Sequence, residues 1–480
     1  MAYRKGNRRQ ATLFPSSLEE YVSEDSPVRV YDAFVDSLDL NELGITVNEW
    51  KVGNSSYHPL SMLKLLVYGY SYGIRSSRKL ERAVHDNVSF IWLLGGLKPD
   101  HKTISEFRRK NKKALGLVLK QSVRLCIKLG LIAGNILFVD GSKMKANASR
   151  KSFHDAKWYA KRLKEIDCRI EALLEECERV DAEEKDSPDL VTLSKELSNS
   201  KKIKEKVQKA LTELNKNNRK NISTSDPESR FMGSSKGSDP SYNVQHVVDD
   251  EHGLIVQAEA TTDATDKFQF ANQISEGELN VGKYCEAACA DAGYSYIEEL
   301  AEMDRQGTYV VVPTHQQASG KEVGKFDKRE FIYEAENDRY ICPRGFALEK
   351  VGFDADRQKR EYRIRQKGIC KHCEYFGECT KSESNRIITR MCKEEVYIKI
   401  QNQYASFKGQ EIYRKRKNRA ELPFGHIKRN LGAHYFHLRG QAGVQAETSL
   451  LATCFNISRL LSLKGALEAI SELKSLSYAV

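Results

Sequence analysis

The run Asn135-Ile-Leu-Phe-Val-Asp140 decides the fold, because a helical pattern gives way there to strands. Its apolar residues predict a short buried strand that ends in an acid. Residues 242–249 and 253–260 predict two further strands, and the turn at residues 250–253 joins them into a hairpin. The predicted sheet therefore begins with one strand and an antiparallel pair.

The second part of the predicted sheet alternates helices with strands. Residues 266–278 and 295–306 carry helical patterns. Residues 284–291 form an apolar strand that again ends in an acid, Asp291, and residues 308–313 predict another strand. Three strands, a helix, then strand, helix and strand is the order of a ribonuclease-H-like sheet. We predict an α/β fold whose core is a ribonuclease-H-like mixed sheet.

Helical patterns lie on both sides of the strands. Residues 62–70 carry an apolar stripe at the spacing of a core-facing helix. Residues 155–221 are highly charged, and apolar residues recur there at steps of three and four, as in a coiled-coil seam. The first seam comprises Leu163, Ile166, Ile170, Leu173, Cys177 and Val180, and the second comprises Leu193, Leu197, Ile203, Val207, Ala210 and Leu214. They predict an inserted antiparallel helical hairpin, broken at residues 186–189.

These changes of pattern divide the chain into parts. We predict an all-helical N-terminal domain, a core in two sections, an inserted hairpin and a small cysteine-bearing insert. Their bounds are residues 1–132 for the helical domain, 133–154 and 222–318 for the first section of the core, 155–221 for the hairpin, 319–395 for the insert and 396–480 for the C-terminal section of the core.

Composition limits the class of protein. The 480 residues carry a net charge of +11, and a hydrophobic fraction of 40% is enough for a buried core. A pI near 8.9 favours a polyanionic partner, although net charge alone also fits simple solubility. We find no signal-peptide pattern and no apolar run near the roughly 18 residues of a membrane span, so we predict a cytoplasmic protein without a membrane partner. Its 11 cysteines then favour thiols or metal ligands over disulfides.

Basic residues cluster in two runs of five cations each. The first basic run, residues 108–113, follows Thr103 and Glu106, whose spacing predicts a helix capping box. A turn and a capped basic helix outline a helix-turn-helix DNA reader, but a solvated basic face gives the same pattern. The second basic run, residues 414–419, precedes the acid Glu421.

Glu421 is an acid in a stretch that otherwise suits phosphate. A lone carboxylate there repels a DNA backbone unless a divalent metal stands between them. With Asp140 and Asp291 it makes three carboxylates, which can hold two Mg²⁺ ions about 4 Å apart. Each acid alone is weak evidence, since the chain has 66 Asp and Glu residues. The combination predicts a metal-dependent enzyme that acts on nucleic acid.

Motifs along nearly the whole chain resemble those of one known family. They are His58-Pro-Leu60, Thr103-Ile-Ser-Glu-Phe-Arg108, Val139-Asp-Gly-Ser-Lys143, Ser225-Asp-Pro-Glu-Ser-Arg230, Tyr242-Asn-Val-Gln245, Ala290-Asp-Ala-Gly-Tyr294, Arg419-Ala-Glu-Leu-Pro-Phe-Gly-His-Ile-Lys428 and His437-Leu-Arg-Gly440. On these residues the chain resembles DDE-class transposases of bacterial insertion sequences, in the subgroup related to insertion sequence 1182. By this resemblance, the metal-binding catalytic triad is Asp140, Asp291 and Glu421. Lys428 corresponds to the family's basic residue that contacts DNA near the cleaved phosphate.

The resemblance also implies an activity and partners. The implied activity is binding of a transposon's terminal inverted repeats, followed by metal-dependent phosphodiester hydrolysis and strand transfer. The implied cofactor is a pair of Mg²⁺ or Mn²⁺ ions, and the implied partner is double-stranded DNA, both transposon ends and target. Because transposition pairs two ends, we expect a homodimer in the DNA complex. The predicted hairpin fits oligomerisation and an intramolecular helix pair equally.

The second basic run departs from the family signature by one position. The signature has a tyrosine seven and an arginine four residues before the glutamate, and here those positions are Arg414 and Lys417. Tyr413 and Arg416 lie one residue earlier, and Arg419 is an alternative. The predicted DNA-contacting cations are Lys428, Arg419, Lys417, Arg416, Arg414, Arg108 and Arg109.

The insert contains a second group of chemically distinctive residues. Cys370-Lys-His-Cys373 is a Cys-x2-Cys pair, Cys379 follows six residues later, and Cys342 lies upstream. Four cysteines match a structural Zn²⁺ site in ligand number and type. Reduced thiols without a metal fit the same spacing, and Cys392 or His372 fit as alternative ligands.

Two other functions fit the sequence. A domesticated element would bind inverted repeats without cutting, and a ribonuclease-H-like nuclease would cut without strand transfer. The presence of all three acids disfavours the first, and the extra domains disfavour the second. Among the remaining polar residues, Asp226 and Asp249 are predicted to begin turns, Asp266 to cap a helix, and His246 to be a hydrogen-bonded residue of a strand.

Overall fold

The structure is a computed structural model that describes residues 17–47, 56–182, 188–216, 219–234, 237–320, 324–355 and 358–477. The chain divides into two compact units. Unit 1 comprises Met1–Asp266, Gln273–Tyr284 and Lys417–Val480, and unit 2 comprises Lys267–Asn272 and Cys285–Arg416. The predicted break in the helical hairpin begins at Asp186, which lies outside the described residues.

Helices and strands have the following bounds. In chain order the helices are α1 (Pro27–Asp36), α2 (Pro59–Ser71), α3 (Ser77–Asp86), α4 (Val88–Leu93), α5 (His101–Lys110), α6 (Lys112–Lys128), α7 (Ala156–Ala182), α8 (Pro188–Lys216), α9 (Phe270–Val281), α10 (Ile297–Arg305), α11 (His315–Ala318), α12 (Glu394–Ala405), α13 (Phe407–Arg419), α14 (Glu421–Arg429) and α15 (Gln441–Ser477). The strands are β1 (Ile136–Lys145), β2 (Phe153–His154), β3 (Ile222–Ser223), β4 (Arg230–Ser234), β5 (Gly237–Asp249), β6 (Ile255–Thr261), β7 (Ala287–Cys289), β8 (Tyr309–Val311), β9 (Ile332–Glu334), β10 (Arg339–Ile341), β11 (Ala347–Asp354), β12 (Lys359–Arg363) and β13 (Ile387–Met391).

The C-terminal segment α15 lies at the centre of the helical part of unit 1, and its helical course is interrupted at Gly465, where φ is +74°. Helices α1, α2 and α6 pack against it, and the apolar stripe predicted at residues 62–70 is buried on α2. Among the described residues, α15 is the one helical segment that passes the length and composition of a membrane span. Half of its most apolar window is buried within the protein, however, so it is the core helix of this unit.

A buried ion pair joins the N-terminal helices to the C-terminal segment. Arg75, which follows α2, donates to the Glu447 carboxylate on α15 over 2.9 Å, and their side chains are 3% and 0% exposed. Arg75 also donates to the backbone carbonyls of Gly432 and Tyr435. A buried pair of this kind is costly to break from one side. The domain boundary predicted at residue 132 therefore does not separate two compact units.

The sheet of unit 1 is built around the long strand β5. β1 pairs antiparallel with β5 on one side, and β4 and β6 pair antiparallel with it as well. In this register Asp140 on β1 lies opposite His246 on β5. Contrary to the prediction of a strand that ends at Asp140, β1 continues to Lys145. The reason is that the polar residues after Asp140 still pair with β5, although they break the apolar run.

Side-chain amides of α15 cover the backbone edge of β6. Asn456 accepts from the Ile255 N–H and donates to the Ile255 carbonyl, both over 2.9 Å. Gln445 accepts from the Ala260 N–H and donates to the Ala258 carbonyl in the same way. Unpaired edge groups are a template for aggregation, so these amides close an edge that would otherwise be open.

The residues of the predicted inserted hairpin form two long helices, α7 and α8, that pack against each other. Ile166 and Val207 are buried between them, as the predicted seams require. Ile203 is 47% exposed, so its predicted place in the second seam is wrong. Tyr159 lies at the base of the pair and donates to the Ile222 carbonyl over 2.8 Å, which ties the hairpin to β3.

Unit 2 contains two separate β structures. β7 and β8 pair in parallel, and α10 and α12 pack beside β8. The cysteine-bearing insert forms a five-stranded antiparallel sheet in the order β13-β12-β11-β10-β9, which the sequence did not predict. Its small core is centred on Tyr340, Leu348 and Tyr362. The structure as a whole is thus mixed α/β with a helical N-terminal region.

Candidate functional site

Asp140 lies on a face of β1 that helix α14 covers. Residues two apart on a strand share a face, so Asp140 and Ser142 point the same way. On α14, the Lys428 ammonium donates to Ser142 Oγ over 2.5 Å. Burial lowers the pKa of Lys428, while the negative charge of Asp140 acts in the opposite direction. The partly desolvated ammonium of Lys428 is therefore close enough to Asp140 for the two charges to interact.

His246 attaches α14 to the strand next to Asp140. Its ring stacks on Phe424 of α14, with a centroid distance of 4.2 Å and an interplanar angle of 6°. Burial, helped by the nearby charge of Lys428, lowers the pKa of His246 to about 3. The ring is therefore neutral at physiological pH. Nδ1 finds no hydrogen-bond partner among the described residues, so the prediction of a hydrogen-bonded histidine does not hold for that atom.

Glu421 is the first residue of α14 and is exposed. Seven helical residues rotate a side chain by only about 20° from the starting direction, so Glu421 and Lys428 share one side of α14. Phe424 and Ile427 are buried and hold the helix against unit 1. The structure thus brings Asp140, Lys428 and the His246–Phe424 stack together, with Glu421 on the same helix as Lys428.

Asp291 lies after β7 in unit 2 and has an arginine partner. One carboxylate oxygen accepts from the Gly293 N–H over 2.8 Å, which caps a short 3₁₀ turn. The other oxygen lies 3.3 Å from Nη2 of Arg416 on α13. The Arg416 side chain is only 12% exposed, whereas that of Asp291 is 42% exposed. Asp291 therefore sits at the surface with a mostly buried guanidinium behind it.

The orientation of α13 bears on the one-residue offset in the second basic run. Tyr413 lies one turn before Arg416, and burial raises its pKa while the charge of Arg416 opposes this. Arg414 and Lys417, which occupy the positions named by the family signature, are exposed. Tyr413 and Arg416 are thus the inward-facing pair. Arg419 donates to the Glu251 carbonyl over 3.2 Å, so it holds the β5–β6 turn.

The first basic run divides between a buried and an exposed part. Arg108 is 5% exposed and donates to the Arg75 carbonyl over 2.8 Å and to the Tyr70 hydroxyl over 3.3 Å. This burial contradicts its predicted contact with DNA. Arg109 is exposed and pairs with Glu106 on the same helix.

The predicted capping box of α5 is also corrected. The N-cap residue is Asp100, whose carboxylate accepts from the Thr103 N–H over 2.7 Å. Thr103 therefore lies inside the helix, and Glu106 pairs with Arg109 and Lys110. Asp100 provides the same kind of cap three residues earlier.

Three other acids have structural partners. Asp226 is fully buried and accepts from the Tyr242 hydroxyl over 2.8 Å and from the Gly440 N–H over 3.1 Å. Asp249 accepts the N–H groups of Gly134 and Glu251. Contrary to the prediction, Asp266 does not cap a helix. Its carboxylate accepts hydrogen bonds from the side-chain amides of Asn243 and Gln245 on β5. These contacts account for Asp249 and Asp266, whereas the second carboxylate oxygen of Asp226, Oδ2, is buried without a hydrogen-bond partner among the described residues.

The donor set of the predicted triad suits a divalent cation, since Mg²⁺ prefers carboxylate oxygens. Among the described residues, however, no group of three or more His, Cys, Asp or Glu side chains is arranged to hold a metal ion. The acids at Asp140 and Asp291 instead have cations near them in their respective units.

Comparisons with known proteins agree with this chemistry. The family model described as "Transposase domain (DUF772)" matches residues 16–110, and the one described as "Transposase DDE domain" matches residues 341–461. The second range includes Glu421 and Lys428. No curated protein and no solved structure matches the chain. The two matches support a DDE transposase of the insertion-sequence type, which is an enzyme of DNA transposition.

Proposed function

We propose that this protein binds the terminal inverted repeats of an insertion sequence, cleaves the DNA there and joins the freed end to target DNA. The observation that carries the proposal is the same in both units. Asp140 and Asp291, two acids on or just after a strand, each have a partly or largely buried cation from the C-terminal basic helices. Acids and cations together suit a phosphodiester substrate, because the cations bind phosphate oxygens.

The proposed fold of the core is ribonuclease-H-like. The antiparallel arrangement of β1, β5 and β6 in unit 1 and the parallel pair β7–β8 in unit 2 support it. The proposed subgroup is the one related to insertion sequence 1182. The domain boundaries predicted from the sequence remain part of this proposal.

We assign the metal-binding role to Asp140, Asp291 and Glu421, which would hold two Mg²⁺ or Mn²⁺ ions. A divalent cation bound there supplies an activated water or hydroxyl and stabilises the leaving oxygen. Lys428, which donates to Ser142, would bind a phosphate oxygen beside Asp140. Arg416 orients the Asp291 carboxylate.

The proposed partners are double-stranded DNA of the transposon ends and of the target. Exposed cations suit the DNA backbone, and Arg414, Lys417 and Arg109 are exposed. We propose a homodimer in the DNA complex, because two ends must be held together, and a cytoplasmic location. Arg108 is not included among the contacts because it is buried.

The test is cleavage of a labelled duplex that carries the end of the element. Purified full-length protein with Mg²⁺ is expected to nick this duplex, and Asp140→Asn is expected to slow nicking at least about a thousandfold, since metal ligation contributes several kcal/mol. Asp36→Asn is the matched control, because this substitution removes the same charge at the surface of unit 1. Asp36 pairs there with Lys64. Undiminished nicking by Asp140→Asn would contradict the assignment.

The same preparation separates the alternatives. A supercoiled target plasmid and a precleaved end report strand transfer. Nicking without strand transfer would identify a nuclease, and end binding without nicking would identify a domesticated binding protein.

A further inference from the structure

Four of the five cysteines in the insert converge on one small cavity. Its volume is about 30 Å³, and its lining includes the cysteines at positions 342, 370, 373 and 379. We call it the cysteine cavity. All four cysteines are free thiols of intermediate burial. The fifth, Cys392, is exposed, and its sulfur lies 3.7 Å from Gln358 Oε1, outside the cavity lining.

The loop that carries Cys342 is shaped to present its sulfur. The Gly345 N–H donates to the Cys342 carbonyl over 2.8 Å, and the Phe346 N–H donates to Cys342 Sγ over 3.3 Å. Gly345 has a φ of +80°, which favours glycine at this point of the turn. This backbone N–H holds the Cys342 sulfur in a fixed orientation within the loop.

A buried asparagine fixes the second loop. Asn385 is 1% exposed and has a φ of +72°. Its carbonyl oxygen accepts from the Cys370 N–H over 3.0 Å, and its amide donates to the carbonyls of Ile364 and Gln366. Cys370 and Cys373 are then joined by a 3₁₀ turn in which the Cys373 N–H donates to the Cys370 carbonyl. The second loop is held in place independently of its sulfurs.

One arginine lies beside the cavity and binds the backbone near it. Arg386 donates to the backbone carbonyls of Cys379 and Phe326. The sulfurs of the four cysteines are close enough to interact electrostatically. Four thiolates around one divalent cation leave a net charge of −2, which Arg386 partly offsets.

We propose that Cys342, Cys370, Cys373 and Cys379 bind one structural Zn²⁺ ion with tetrahedral geometry. Four thiolates are a ligand set that selects zinc in a protein whose cysteines are reduced. Among the described residues no three of these sulfurs already have metal-binding geometry, so binding would require small movements of the four side chains around the cavity. His372 is exposed and outside the cavity lining, which excludes it and Cys392 from the ligand set.

A structural ion has a clear role at this position. The insert's core is small, and domains with small cores often depend on a metal for their stability. The ion connects the loop after β10 with the two turns between β12 and β13. It does not depend on the proposed transposase function, and its detection requires neither DNA nor activity.

The experiment is metal analysis of the purified full-length chain without added metal. We expect about one zinc ion per chain, and less than about a tenth of that in Cys373→Ser. Cys392→Ser is the matched control, since it removes a thiol of the same insert outside the cavity, and it is expected to keep its zinc. Soluble wild-type protein without zinc, with iron in its place, or with zinc retained in Cys373→Ser would overturn the proposal.

A second measurement avoids any folding defect of the variant. Wild-type protein is titrated with a mercurial thiol reagent while a zinc-sensitive dye reports the free ion. We expect the release of about one zinc as the cavity thiols react, and the same release from Cys392→Ser. Thiol modification without zinc release would contradict the site.

Discussion

The two basic runs have equal charge in the sequence but different surroundings in the structure. Residues 108–113 and 414–419 carry five cations each, and in each run one arginine turns inward. Arg108 binds a backbone carbonyl and a tyrosine hydroxyl in the core of unit 1. Arg416 binds the Asp291 carboxylate in unit 2. A stabilising arginine is therefore distinguished from one at the proposed catalytic site by the group that accepts its hydrogen bonds. The number of cations in the run does not make this distinction.

The largest effect expected for either basic run concerns the inward arginine of the second run. Arg416→Ala is expected to slow DNA cleavage about a hundredfold, because it leaves Asp291 without its guanidinium partner. Lys417→Ala is the matched control, since Lys417 is the adjacent cation and is exposed. The measurement is single-turnover cleavage with saturating enzyme. A larger loss of cleavage rate in Lys417→Ala would show that the position named by the family signature, and not the inward-facing Arg416, carries the function. The contrast between the two basic runs would then fail.

The inward arginine of the first run is expected to act on stability. Arg108→Ala should lower the free energy of unfolding by about 2–3 kcal/mol, because charged hydrogen bonds inside the protein are lost. Arg109→Ala, on the exposed side of the same helix, should change it by less than about 0.5 kcal/mol. Urea denaturation followed by circular dichroism measures both. Equal effects of the two variants would contradict the distinction.

His246 is a further buried basic side chain, and it differs from the two inward arginines because burial keeps its ring uncharged. Its folded-state pKa of about 3 lies below the ordinary value of about 6.5, so the unfolded chain binds a proton that the folded chain does not. The associated stability is present above pH 6.5 and is lost as the pH falls toward 3.

We therefore expect the wild-type protein to lose about 2 kcal/mol more stability than His246→Phe between pH 7 and pH 5. Denaturant unfolding at the two pH values gives this difference. An identical pH dependence in the two proteins would show that His246 is not buried as a neutral ring.

The smallest expected effect concerns the exposed part of the first run. If Arg109 contacts a DNA phosphate, Arg109→Ala should reduce the slope of log affinity against log salt by about 1. Fluorescence anisotropy with end-containing duplex at several salt concentrations measures the slope. An unchanged slope would show that Arg109 pairs with Glu106 and does not contact DNA. The first run would then have only a structural role.

The sequence predicts those parts whose pattern is local. β5 and β6 follow from their alternation around a turn, and α7 and α8 follow from their seams. The same local rule fails at Asp140, because strand pairing continues into polar residues as far as Lys145. It also fails for the sheet of the insert. The strand β12, Lys-Arg-Glu-Tyr-Arg, has one apolar side chain, and a strand of this composition is recognised only through its neighbours.

The orientation of a basic side chain depends on distant residues. The acceptor of Arg108 belongs to Arg75, 33 residues earlier, and Arg75 is in turn held by Glu447, 372 residues later. No window of sequence around Arg108 contains this information. For the site, Asp140, Lys428 and Arg416 were predicted from motifs, whereas Ser142 and the His246–Phe424 stack were missed. The sequence carried no local signal for the stack, because the pairing of His246 with Asp140 and its contact with Phe424 join residues far apart in the chain.

The amides that α15 places along β6 have a consequence for the synthesis of this protein. Asn456 follows Ile255 by 201 residues, so β6 emerges from the ribosome long before the side chains that cover it. During that interval the nascent chain exposes a strand edge that can recruit another strand. Products of premature termination before residue 441 retain this edge permanently. We expect them to aggregate, whereas the completed chain protects itself as its last helix docks.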